Sequence, residues 1–130
     1  MSVRLIQLGK ALRRLREALD LTPSDVARDA AIQRFEFCAD LAWKAVQATA
    51  REMGRDCRFP KDCLRLAFEA GWVDDEAGWL RLWEDRNLTS HTYDEELAEP
   101  IYRRLPEHLR CLESLDAALV RHSGGSGAQA

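Results

Sequence analysis

The chain reads as all-α, an antiparallel bundle of about five helices, and three observations point that way. Leu5, Leu8, Leu12, Leu15 and Leu19 recur at spacings of three and four, the period of one helical face. From Ser24 to Met53 no glycine or proline interrupts the sequence, which leaves room for a long helix. No alternating strand pattern, internal repeat or linker occurs.

Each helix has its own justification. The first covers Val3 to Leu19. Thr22-Pro23-Ser24-Asp25 then supplies a start signal, with Thr22 as cap, Pro23 at the first helical position and Asp25 at the positive helix end. The helix that follows spans about 30 residues, roughly 45 Å at 1.5 Å per residue. Its stripe of Ile32, Phe35, Ala39, Ala42, Val46 and Met53 is widened by Phe37, Cys38, Leu41, Trp43 and Ala45, so burial on two sides is expected. Gly54 ends it. Pro60 opens a short helix to Ala70, with Leu64, Ala67 and Phe68 inward and Gly71 as its stop. Asp74, Asp75 and Glu76 crowd the start of the next helix, whose apolar part is Trp79, Leu80, Leu82 and Trp83. Thr92-Tyr93-Asp94-Glu95 has the form of a capping box, which starts the last helix at Thr92 and carries it roughly to Arg121, bent or interrupted at Pro100 and Pro106.

Composition bounds the function. A length of 130 residues fits one domain, assigned to 1–122, with Ser123 to Ala130 as a disordered tail. At 46% hydrophobic and 32% charged the chain is globular, and no apolar run approaches the ~20 residues of a membrane span. The start lacks a secretory signal, so the expected location is cytoplasmic. Cys38, Cys57, Cys63 and Cys111 form no CxxC pair and are expected as reduced, mostly packed thiols; no metal site or cofactor is expected. A net charge of -3 argues against a nucleic-acid coat but allows a local basic groove; Lys10, Arg13, Arg14 and Arg16 read as a solvated helix face.

Chemistry concentrates between Glu84 and Asp94, which hold Arg86, Asn87, Thr89, Ser90, His91, Thr92 and Tyr93. Arginine offers a planar fork of donors to phosphate, and histidine moves protons near neutral pH. On an unbroken helix Arg86 and His91, five apart, point ~140° away from each other, so their convergence requires the helix to change near Ser90 or the arginine to curl round. The residues alone leave two readings open, a structural hydrogen-bond cluster and a catalytic pair.

Three stretches carry a family resemblance: Ile32 to Phe37 with Leu41 to Lys44; Ala67 to Gly71 followed by Asp74-Asp75; and Trp83 to Asp94, in which Arg86, His91 and Tyr93 fit the pattern Arg, four residues, His, one residue, Tyr. Over roughly Ala27 to Leu115 the chain resembles the HEPN superfamily, specifically its small nucleotidyltransferase substrate-binding proteins, the toxin halves of HEPN/MNT toxin–antitoxin pairs. The resemblance implies a four-helix up-and-down core and a homodimer whose two motifs line one cleft. It implies a metal-independent ribonuclease that leaves a 2′,3′-cyclic phosphate, with His91 as general acid or base, Arg86 stabilising phosphate charge and Asn87 orienting phosphate or histidine. It also implies a partner nucleotidyltransferase that places AMP on Tyr93 and so blocks the cleft. The alternative is a non-catalytic binding subunit of that nucleotidyltransferase.

Glu36 is read as a structural ion-pair partner for an arginine such as Arg86, and Ser90 as a supporting residue. Trp43, Trp72, Trp79 and Trp83 are read as core or interface packing, His108 as exposed, and His122 as a fringe of the tail.

Overall fold

The computed structural model describes the backbone of residues 1–129 and the side chains of residues 1–123; of the expected disordered tail, 123–130, Ala130 and the side chains beyond Ser123 lie outside them. The elements are α1 (Val3–Leu19), α2 (Asp25–Glu52), α3 (Pro60–Glu69), α4 (Glu76–Leu88), a single 3₁₀ turn (Thr89–His91) and α5 (Glu95–Gln129), with no strand among the described residues. The five-helix, all-α expectation is met.

Helices α1 and α2 form an antiparallel hairpin, and α5 packs against both. The leucine stripe of α1 turns inward, where Leu8 and Leu15 are fully buried, each contributing about 1.5–3 kcal/mol of transfer free energy. Helix α3 leans on α2, while α4 and the 3₁₀ turn bridge α2 and α5. Along α2, Ile32, Phe35, Ala39, Ala42 and Val46 are buried as expected, but Phe37 and Met53 are exposed. In α3 the inward residues are Cys63, Leu66 and Ala67, whereas Phe68 is exposed; the register is rotated from the expected face.

Helix ends show which local signals compete successfully. Gly54 and Gly71 adopt positive φ, +77° and +79°, as two glycine stops should. Ser24, not Thr22, caps α2: its hydroxyl accepts from the Ala27 amide at 3.0 Å, and the helix begins at Asp25, beyond the position that Pro23 marked. Thr92 does not cap α5 either. Asp94 accepts from the Glu96 amide at 2.9 Å and takes the capping role, so α5 starts at Glu95. Pro100 and Pro106 do not interrupt α5, which runs on through both. Each proline forfeits one amide donor, but the turns around them bury Ala98, Ile101, Leu105 and Leu109 against α1 and α2, and packing outweighs the local loss.

The cysteine expectation is corrected in part. Cys57 and Cys63 form a disulfide, their Cα atoms 5.1 Å apart, because the loop after Gly54 folds back over the start of α3. Gln47 anchors that loop by donating to the Cys57 carbonyl at 2.7 Å. Cys38 and Cys111 are free thiols; burial pushes the Cys38 thiol up to about 12.

Candidate functional site

The segment carrying Arg86, His91 and Tyr93 lies where α4 ends against the middle of α2. A helix end leaves carbonyls without amide partners. Here two threonines three residues apart supply donors: the Thr89 hydroxyl donates to the Arg86 carbonyl at 2.7 Å, and the Thr92 hydroxyl donates to the Thr89 carbonyl at 3.0 Å. The chain thereby tightens into the 3₁₀ turn Thr89–His91 before Asp94 caps α5.

Arg86 faces α2. Its Nε and Nη2 donate to the two carboxylate oxygens of Asp40, at 2.7 and 3.1 Å, a bidentate pair at a half-buried site. The hydrogen bonds to Asp40 raise the guanidinium's pKa further above its ordinary value, with burial opposing. Glu36, one turn earlier on α2, lies 4.0 Å from Nη1. The expected Glu36 pair exists, but it is the weaker one, and Asp40 had not been singled out. Its signal was the i, i+4 spacing from Glu36, which puts both carboxylates on one helix face. The guanidinium also lies 5.9 Å from the centroid of the Trp83 ring, within reach of cation–π attraction.

His91 and Tyr93 are exposed, Tyr93 at 84%, and their rings meet edge to face with centroids 6.3 Å apart. Tyr93, Thr89 and Thr92 line a polar hollow with Glu36, Asp29 and Gln33 of α2. No hydrogen bond joins Arg86 to His91 among the described residues, and Ser90 is exposed without one. Asn87, the residue after Arg86, is exposed. It lines an apolar cavity of about 190 Å³ together with Trp43, Trp79 and Trp83.

Beneath the site lies a polar cluster that the sequence reading missed. Asp85, next to Arg86, is buried; Arg104 donates to its two oxygens at 2.8 Å each, and His108 Nε2 lies 2.6 Å from one of them. His108 is therefore not exposed but 1% accessible, stacked on Phe35 with ring centroids 5.3 Å apart. Its position in the series Ile101, Leu105, His108, Leu112 was the available signal, since that spacing is the buried stripe of α5. Burial pushes the Asp85 carboxyl up, but hydrogen bonds from His108 and Arg104 together outweigh it and hold the group below the usual carboxylate range. An ionised carboxylate only accepts, so Nε2 carries the proton and Nδ1 is left buried without a partner. The cluster ties α4 to α5 directly behind Arg86. No group of three or more His, Cys, Asp or Glu side chains is arranged to hold a metal ion among the described residues.

Known proteins share this arrangement of helices. A Thermus thermophilus protein superposes with a TM-score of 0.81 at 46% identity, over 86% of this chain and 98% of its own. A Haemophilus influenzae protein, whose structure is described as revealing the fold of a substrate binding domain of a nucleotidyltransferase, superposes with a TM-score of 0.78 at 29% identity, over 88% of this chain and 98% of its own. In sequence, the probable ribonuclease HepT of Haemophilus influenzae is 33% identical over 105 residues, 72% of this chain and 70% of that protein. The model of the family described as nucleotidyltransferase substrate binding protein like matches residues 3–121. With nearly the whole helical bundle inside that match, the chain belongs to this HepT-like family of nucleotidyltransferase substrate-binding proteins.

Proposed function

We propose that the chain is the toxin-type endoribonuclease of a two-component module, cutting RNA without a metal ion and held in check by a nucleotidyltransferase that adenylylates Tyr93. One observation carries the reading. A turn fixed by two threonine hydroxyls holds an exposed imidazole edge-on to an exposed phenol, just beyond an arginine whose guanidinium is oriented by a carboxylate. Kinship to a probable ribonuclease supports it.

In this reading His91 takes the proton from a ribose 2′-OH. The freed oxygen attacks the adjacent phosphorus, the bond to the 5′-oxygen breaks, and that oxygen is protonated, leaving a 2′,3′-cyclic phosphate and a 5′-hydroxyl. One imidazole cannot be base and acid in the same instant, so a second copy of the chain supplies the other from across the cleft. Arg86 acts through Nη1, the nitrogen that Asp40 leaves unengaged, on the charge developing at phosphorus. Control runs through Tyr93: its phenolic oxygen attacks the α-phosphorus of ATP, pyrophosphate leaves, the phenolic proton goes to solvent, and the new phosphodiester sets a negative charge beside His91.

A second reading, a non-catalytic binding subunit of the nucleotidyltransferase, is favoured by a different observation. Asp40 and Glu36 together over-neutralise Arg86, which weakens its pull on an RNA phosphate. Incubation with RNA in EDTA separates the two. Cleavage by wild type and its loss in His91→Ala and Arg86→Ala supports the ribonuclease; no cleavage by any of the three moves the assignment to the binding subunit.

A further inference from the structure

The apolar cavity beside Asn87 adjoins the candidate site rather than lying apart from it. On α2, Glu36, Asp40 and Trp43 share one face at spacings of four and three, and α4 runs antiparallel alongside. Glu36 therefore meets Thr89 to Tyr93, Asp40 meets Arg86, and Trp43 meets Trp83 and Asn87. From Glu36 to Trp43 the helix rises roughly 10 Å at 1.5 Å per residue. The Trp83 ring belongs to both places, since it walls the cavity and lies 5.9 Å from the Arg86 guanidinium. A strand bound across Arg86 would have the His91 turn on one side and the tryptophan cavity on the other. A distance of roughly 10 Å exceeds the ~3.4 Å of a stacked nucleotide step, so the nucleotide reaching the cavity must be unstacked.

We propose that this cavity binds the base of an unpaired nucleotide flanking the scissile phosphate of single-stranded RNA, a role that rests on the ribonuclease reading above. Three indole side chains line the cavity, and an indole face is a surface on which every base can stack. A volume of about 190 Å³ is below the roughly 300–1,000 Å³ of a pocket for larger ligands and suits a single planar heterocycle. Asn87 and Glu84, three residues apart on α4 and both exposed, line the cavity with an amide that donates and accepts and a carboxylate that accepts, the pairing a base edge requires. Lys61, an exposed lining residue at the start of α3, provides a cation for the nucleotide's phosphate. An aliphatic ligand would leave these three polar groups without a purpose. The pattern Arg, four residues, His, one residue, Tyr does not include Trp43, Trp79 or Glu84, so the cavity adds a base-recognition element to the phosphate chemistry of Arg86 and His91.

Calorimetric titration of the His91→Ala protein with guanosine and adenosine 5′-monophosphates tests this without turnover. At least one nucleotide should bind saturably, while ribose 5-phosphate should not. Affinity should fall roughly 5- to 150-fold in Trp43→Leu, the range of losing one base–aromatic stack. Because Trp43 also packs against the core, Asn87→Phe, which puts a bulky ring into the cavity lining, serves as a second variant and should abolish binding. Absence of nucleotide binding, or equal affinity in both variants, overturns the proposal. So does dissociation of an oligomer by these variants when no nucleotide binds, since the cavity would then be a contact between copies. If wild type still cleaves RNA in that event, only the base site falls; nucleotide binding without RNA cleavage keeps the base site and removes the ribonuclease reading.

Discussion

His108 Nε2 lies 2.6 Å from a carboxylate oxygen of Asp85, and neither side chain is more than 5% exposed. Arg104 closes the same carboxylate from the surface side. Removing the carboxylate strands a buried imidazole and an arginine fork together. Asp85→Ala should lower stability by about 2–4 kcal/mol, read from urea unfolding.

The same contact predicts a pH dependence. The Asp85 carboxyl is held below its ordinary value when folded, so its contribution is fully present above the unfolded pKa of about 4 and is lost as pH falls through the lower folded value. The melting-temperature gap between wild type and Asp85→Asn should be constant near neutrality and narrow below about pH 4. A gap that stays constant into acid would remove this account.

Asp40 should separate binding from turnover. With Arg86 and Asp40 both partly exposed, Asp40→Asn should change stability by less than about 1 kcal/mol. Loss of one negative charge should lower KM for RNA several-fold, while a less firmly oriented guanidinium should lower kcat about tenfold. Steady-state cleavage of a short RNA checks both, and kcat unchanged would mean that Asp40 does not position Arg86 for the reaction.

Thiol counting tests the Cys57–Cys63 link. Denatured, unreduced protein should expose two reactive thiols, Cys38 and Cys111, and four after reduction. Native protein should leave Cys38 silent, because it is buried and its pKa is raised. The paired Cys57→Ala, Cys63→Ala variant should lose only about 2 kcal/mol, since the closed loop is short.

Tyr93→Phe should be invisible to stability, within about 0.5 kcal/mol, because the ring is 84% exposed. Mass spectrometry after incubation with the cognate nucleotidyltransferase and ATP should find an adenylyl group on the wild-type peptide and none on Tyr93→Phe. Modification of both would place the acceptor elsewhere.

Much of the fold was legible because its signals are local. The leucine spacing of α1, the unbroken run of α2 and the two glycine stops follow from helix period and backbone freedom alone. Caps were less legible where neighbours compete: Thr22 and Ser24, or Thr92 and Asp94, can each cap, and in both pairs the stronger N-cap type, serine or aspartate, takes the position. The polar interior was least legible. A single helix face cannot show which of Glu36 and Asp40 an arginine on another helix reaches, and His108 looked like a surface residue until Asp85 gave it a partner.

The junction between α4 and α5 contains no glycine, and no residue other than a glycine adopts positive φ anywhere among the described residues. The other two breaks around α3 rely on Gly54 and Gly71, residues that leave the unfolded chain many conformations to lose. Between Arg86 and Asp94 no backbone angle calls for a glycine, so the unfolded segment has fewer conformations to lose than the glycine-based breaks do. A ligand that binds there therefore has less chain entropy to overcome in ordering the segment than one that binds at a glycine-based turn.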